Sequence, residues 1–324
     1  MIEIKKSKIK LWSRLGARAV YGQAMLEMAK QRDDFYILSA DLCQSSGLVR
    51  FRDEFPERFI NAGIAEQNMI GMAAGLAKDG TNVFATSFSP FVTMRACEQV
   101  RMNMGYMQLN IKTVGLGSGL VMAQLGNSHY GIEDASIMRA IPGMTVIEPA
   151  DGVEIVKTVE ALCDYNNPVY LRLTGGTDLP VVYDDDIRYE IGKAIRVREG
   201  KDICIIATGS MVYYAKKAAE LLTEQGIDTS VVDMHTIKPL DTDCIDDNIE
   251  MKAIVTVEEA SVIGGLGSAV AEYLAPKKNK PPQLFIGIDD FFPHAGSYQY
   301  LLEQCGLNEK AIAEKIFHFV KNQD

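Results

Sequence analysis

Tryptophan and histidine are scarce, at one and four residues among 324. Chemistry that needs clustered imidazoles therefore has few places to reside. The six cysteines, Cys43, Cys97, Cys163, Cys204, Cys244 and Cys305, show no CxxC spacing and no histidine at zinc-site spacing. That excludes a zinc ribbon or a disulfide framework and leaves isolated small hydrophobes of a reducing compartment. Positive charge is not in excess: 33 Lys and Arg against 43 Asp and Glu give a formal net charge of -10. Without the basic footprint that supplies most nucleic-acid affinity, neither nucleic acid nor an anionic membrane is an expected partner. No run of about 18 predominantly apolar residues offers a membrane span. The basic start MIEIKKSKIK is not followed by the apolar stretch and small-residue cleavage site of a secretory signal. A cytoplasmic protein is expected. Complete nucleotide motifs are also missing. GLGSG (115–119) and GGLGSAV (264–270) each supply only part of GxGxxG, and GxxxxGK[ST] does not occur. Both read better as tight turns entering helices.

With 47% hydrophobic and 23% charged residues the composition is that of a globular chain, and its length suits about two domains. Short β-rich runs, FYILSA (35–40), NVFATS (82–87), IKTVGL (111–116), MTVIEP (144–149) and PVYLRL (168–173), alternate with segments of helical length. Near-continuous apolar strands separated by helices predict an α/β fold with a parallel sheet covered on both faces. The stretch after PVYLRL, with Gly175, Gly176, Pro180 and three consecutive aspartates at 184–186, breaks every periodicity and reads as a linker. A second series follows: DICIIATG (202–209), a helix near 211–225, TSVVDM (229–234), KAIVTVEE (252–259), a helix after the glycines at 264–267, and QLFIGID (283–289). The expected organisation is two α/β domains, 1–185 and 186–324, each with a mostly parallel sheet and without internal repeats.

Two segments stand out as carriers of chemistry. NAGIAEQNMIGMAAGLAKDG (61–80) predicts a helix rich in small residues, packed closely on its neighbours, with Glu66 in its first turn. A carboxylate there is either a residue favoured by the helix dipole or a buried acid/base group. In GNSHYGIEDASIMRAIPGMTVIEPAD (126–151), His129 lies in a polar loop after a strand, where α/β proteins place ligands. Taken alone, a single loop histidine reads more readily as structural or solvated than as catalytic. His235, His294 and His318 are expected to be structural or surface residues.

The blocks GIAEQNMIGMAAGLA, TSFSPFV, SHYGIEDASIMRAIPGMTVIEPAD and PVYLRL occur in order. Together they resemble the pyrimidine-binding domain of the transketolase family of thiamine diphosphate enzymes. ATGSMVYYAKKAAELL, VVDMHTIKPLD, VTVEEASVIGGLGSAVAEYL and IGIDDFFPHAGS resemble the C-terminal domain of that family, so the resemblance spans about residues 12–320. It implies thiamine diphosphate as cofactor. Glu66 would partner the far nitrogen of the aminopyrimidine, making its amino group basic. Phe88 and Phe91 would pack against the pyrimidine ring, and Ile64 would wedge the cofactor into its bent shape. His129 would assist proton transfer beside the substrate, and Arg18 would bind a substrate phosphate.

The chain has no GDG triplet, the family mark of the domain that grips the diphosphate and its Mg2+ or Ca2+. The resemblance therefore implies one subunit of a split transketolase. Its N-terminal partner subunit would carry the diphosphate-binding domain, in an α2β2 heterotetramer. The expected reaction transfers a two-carbon ketol unit from a ketose to an aldose, whether or not these are phosphorylated. Three positions depart from the family's substrate pocket: Leu125 in place of an aspartate, Gly117 in place of a histidine and Gly175 in place of a phosphate-binding arginine. They keep open a 2-oxo acid donor, as in deoxyxylulose-phosphate synthases or oxo-acid dehydrogenase β-subunits. A non-catalytic scaffold subunit is the third reading.

Overall fold

The structure, a computed structural model, describes residues 1–323. Its strands are β1 Phe35–Ser39, β2 Phe59–Asn61, β3 Asn82–Phe88, β4 Ile111–Leu116, β5 Thr145–Ile147, β6 Val169–Leu173, β7 Ile195–Arg198, β8 Ile203–Ala207, β9 Thr229–Asp233, β10 Thr236–Lys238, β11 Ala253–Ser261 and β12 Gln283–Ile288. They form a seven-stranded sheet, β10-β5-β6-β4-β3-β1-β2, and a five-stranded sheet, β12-β11-β8-β9-β7. Each is parallel except for one antiparallel edge strand, β10 against β5 and β7 against β9. Every residue of β3, β4 and β6 is buried, which explains why these segments read as unbroken apolar runs. Helices Ala17–Ala29 and Gly152–Asp164 pack on each other and feed one core, while Glu66–Lys78 and Asp134–Ala140 feed another. The first sheet is thus covered on both faces. No helix among the described residues is long and apolar enough to cross a membrane.

Two connections differ from the sequence-based expectation. Residues 236–238 lie in the half assigned to the second domain, yet they hydrogen-bond onto β5 as the edge of the first sheet. Three residues are too few to show a period, so no local signal marks this exchange. The segment between β6 and β7 has no regular element, as its composition predicts, but it is a fastened strap rather than a loose linker. Leu179, Val182 and Tyr183 are buried, and Asp151 Oδ2 accepts from the backbone N–H of Val182 and of Tyr183, both at 2.8 Å.

The two partial glycine motifs explain themselves in the fold. Neighbouring glutamates near the end of β11 point in opposite directions, as strand residues must. The Glu258 carboxylate accepts from the N–H groups of Leu266 and Gly267, each at 2.8 Å, so the first turn of helix Leu266–Leu274 already holds an anion of its own chain. Glu259 reaches across to the first domain, accepting from Leu120 N at 2.7 Å as well as from Ser210 and Tyr298. Burial raises both acids above the usual carboxylate range.

Candidate active site

The site forms at the carboxyl edge of the first sheet. Glu66 begins the helix Glu66–Lys78, whose buried Ala73, Ala74 and Ala77 allow close approach to β3. That approach leaves Glu66 only 2% exposed, beside the end of β3. Its Oε1 accepts from Ser87 Oγ at 3.2 Å and its Oε2 from Arg95 Nη1 at 2.9 Å. Arg95 comes from a π-helical turn, Phe91–Arg95, and its guanidinium carbon stands 4.0 Å from the centre of the Phe91 ring. Widened turns of this kind recur at functional sites. Phe91, Phe88 and His129 form one aromatic group. Their ring centres lie 6.0 Å (Phe88 to Phe91), 5.8 Å (Phe88 to His129) and 5.3 Å (Phe91 to His129) apart, all edge to face. Ser128 Oγ is 2.9 Å from His129 Nδ1, leaving Nε2 as the ring atom free for other partners.

The loop bearing His129 is held from below by a charged network that sequence reasoning did not identify. Gly119 and Gly131 exchange backbone hydrogen bonds at 2.7 and 3.1 Å, which ties the loop after β4 to the residues following His129. Arg172 of β6, fully buried, donates to Gly131 O at 2.7 Å, to Asp134, to Glu148 and to Glu259 O of the second domain. Burial works against the Arg172 charge, but the Asp134 and Glu148 carboxylates outweigh it and hold the group firmly cationic. Burial also pushes Glu148 up to about 7, against the opposing pull of Arg172. Tyr170 and Ser89 donate to Asp134 as well, at 2.5 and 2.7 Å. The sequence clue was a lone arginine inside an apolar strand, PVYLRL.

Of the sequence-predicted residues, Glu66, Phe88, Phe91 and His129 are thus brought together. Ile64 precedes the helix and is 78% exposed, an apolar side chain turned to solvent. Arg18 is half-buried on helix Ala17–Ala29, and no hydrogen bond, ion pair or ring contact joins it to the cluster among the described residues. Burial lowers its affinity for the proton. Gly117 and Gly175 have φ of +63° and +77°, and a Cβ would stand 2.5 Å from Met122 Sδ and 2.3 Å from Leu179 Cδ1. A side chain at either position would be strained by the positive φ and would have to displace the flexible end of Met122 or Leu179. Leu125 is 54% exposed. Among the remaining histidines, His235 is buried against Tyr189 and burial lowers it to about 4, whereas His294 and His318 are exposed.

Fold and site together define a two-domain α/β protein with a buried carboxylate linked through Arg95 to a group of aromatic rings. Residues 14–176 match the transketolase pyrimidine binding domain and residues 192–312 the transketolase C-terminal domain. A protein of Methanocaldococcus jannaschii described as a transketolase C-terminal section is 43% identical over 310 residues, covering 95% of this chain and 97% of that protein. A 6-deoxy-6-sulfo-D-fructose transketolase subunit of Clostridium sp. (strain MSTE9) is 42% identical, covering 91% of each chain. The solved structure of a split gene transketolase, titled an inactive beta4 tetramer, superposes with a TM-score of 0.87 at 38% identity, covering 95% of this chain and 99% of that one. The chain belongs to the transketolase family and corresponds to the C-terminal part of a split transketolase.

Proposed function

We propose that this chain is the C-terminal subunit of a thiamine diphosphate-dependent transketolase, active only with an N-terminal subunit that carries the diphosphate-binding domain. The observation that carries this reading is the buried Glu66 carboxylate, held by Ser87 at the end of β3 and joined through Arg95 to Phe91, whose ring meets Phe88 and His129. Thiamine diphosphate, when bound, supplies a carbon nucleophile that a protein side chain cannot provide. Glu66 offers its carboxylate to the ring nitrogen of the pyrimidine. Phe88 and Phe91 offer apolar ring surface, and Ile64 offers an exposed aliphatic wedge. His129, held through Nδ1 by Ser128, presents Nε2 for proton exchange with substrate oxygens. We assign Mg2+ or Ca2+ to the partner subunit, together with the diphosphate-binding domain. The tetramer named for the solved relative supports self-association of such chains and suits an α2β2 complex. Six free thiols suit a cytoplasmic setting. The boundary between the two domains is placed near residue 185, within the strap.

The donor is a two-carbon ketol source held differently from an ordinary ketose phosphate. Glycine at 117 and 175, where the backbone has positive φ, leaves out two phosphate contacts, worth about 1 to 3 kcal/mol each. Arg18, half-buried and without an internal partner among the described residues, remains as an anion contact. The same geometry favours, as second reading, a 2-oxo acid donor, whose small carboxylate needs no distant phosphate clamp. The test combines the chain with the diphosphate-domain subunit, thiamine diphosphate and Mg2+. Xylulose 5-phosphate, unphosphorylated or sulfonated ketoses, and pyruvate are then offered as donors. Ketol transfer to an aldose that requires both chains supports the proposal, and release of CO2 from pyruvate selects the second reading. Cofactor binding without turnover of any donor would support a non-catalytic subunit.

A further inference from the structure

Arg95 holds the two groups that define the site. Of the two donors on the buried Glu66 carboxylate, Ser87 is itself fully buried and Arg95 is 46% exposed, so the Arg95 side is the solvent side. A carboxylate so deeply buried is costly without a counter-charge, and Arg95 provides one. The guanidinium is planar, with N–H donors in a fixed fork, and it lies 4.0 Å from the centre of Phe91 while donating to Glu66 at 2.9 Å. It therefore presents to these two residues what a ring-protonated aminopyrimidine presents, a flat N–C–N edge that lies over phenylalanine and donates to a carboxylate. The other neighbours of Phe91 in the cluster, His129 and Phe88, meet it edge to face, and neither offers the carboxylate a donor.

We infer that Arg95 occupies the pyrimidine position of the ligand-free chain and must leave both Glu66 and Phe91 before a cofactor ring engages them. It is a positioning residue that keeps Glu66 aimed and competes with the ligand for the same partners. Departure needs only side-chain rotation, because the Arg95 backbone is independently fixed by Gln67 Nε2 donating to its carbonyl at 3.2 Å. This inference rests on the thiamine diphosphate reading of the site.

The experiment titrates thiamine diphosphate into the complex of this chain with its diphosphate-domain subunit by calorimetry, with Mg2+ present. Wild type, Arg95→Met and Arg95→Lys are compared, and each is melted with and without cofactor. Loss of one charge-assisted contact predicts that Arg95→Met binds the cofactor about tenfold or more tightly. Its ligand-free form should melt lower and gain more from cofactor, and Arg95→Lys, which keeps the charge without the flat fork, should fall between. Equal or weaker binding by Arg95→Met, with wild type binding normally, overturns the inference and leaves the site reading intact. A wild-type complex that binds no thiamine diphosphate overturns the site reading, and the inference with it.

Discussion

Glu66 and His129 differ in how far their environment commits them. Glu66 is enclosed with two donors on its carboxylate, while His129 is half-exposed in a loop and meets the cluster through its ring edges. Glu66→Gln keeps the shape and loses the charge, and turnover by the assembled complex should fall at least tenfold, within the range a general acid–base partner contributes. A variant that retains more than about a tenth of the wild-type rate in a coupled assay would remove Glu66 from this role. His129→Ala should lower the rate at a cost in stability of no more than about 1 kcal/mol, because the half-exposed ring is held only by two edge contacts and one hydrogen bond. A large loss of stability would instead make His129 a structural residue.

At the scale of elements, the active loop depends on strand β6. Arg172 ties that strand to Gly131 O, to the helix acid Asp134, to Glu148 and to the second domain's Glu259 O. Arg172→Met fills the space and leaves two buried carboxylates unpaired, a loss of about 3 to 5 kcal/mol by analogy with broken buried ion pairs. Urea unfolding of the isolated chain measures it, and a cost below about 1 kcal/mol would show that the network is solvated or redundant. The same elements explain the legibility of the site. Glu66, Phe88 and Phe91 were identifiable because they stand in compact motifs at strand and helix boundaries. Arg95 and Arg172 were not, because their partners lie 29 and 38 residues away in the chain and only folding sets them at bonding distance.

At the scale of the whole molecule, the two domains share a buried acidic junction. Asp151 and Glu154 belong to helix Gly152–Asp164 and its cap, Asp233 ends β9, and Tyr183 of the strap donates to Asp233 at 2.6 Å. Burial raises all three acids, Asp233 to about 7. A raised acid binds its proton more tightly folded than unfolded, so its contribution is complete below about pH 4 and is lost as pH rises towards about 7. Stability should therefore decline over this window by up to about 1.4 kcal/mol per pH unit for each such group. Asp233→Asn should melt higher than wild type at pH 8, with the difference closing at pH 4. Equal slopes for the two proteins across about pH 4 to 8, followed by calorimetry, would contradict a proton held at Asp233.

Composition and periodicity by themselves determined the two α/β domains, the parallel sheets and the helix that presents Glu66, since burial on both faces writes itself into continuous apolar runs. The likeness of ordered motifs pointed to the Phe88, Phe91 and His129 group before any geometry. Only the tertiary structure decided that residues 236–238 complete the first sheet, that the segment after β6 is a buried strap, and that Arg95 lies over Phe91 against Glu66. These features depend on backbone and charge partners from distant parts of the chain, and no local pattern encodes which distant groups will meet.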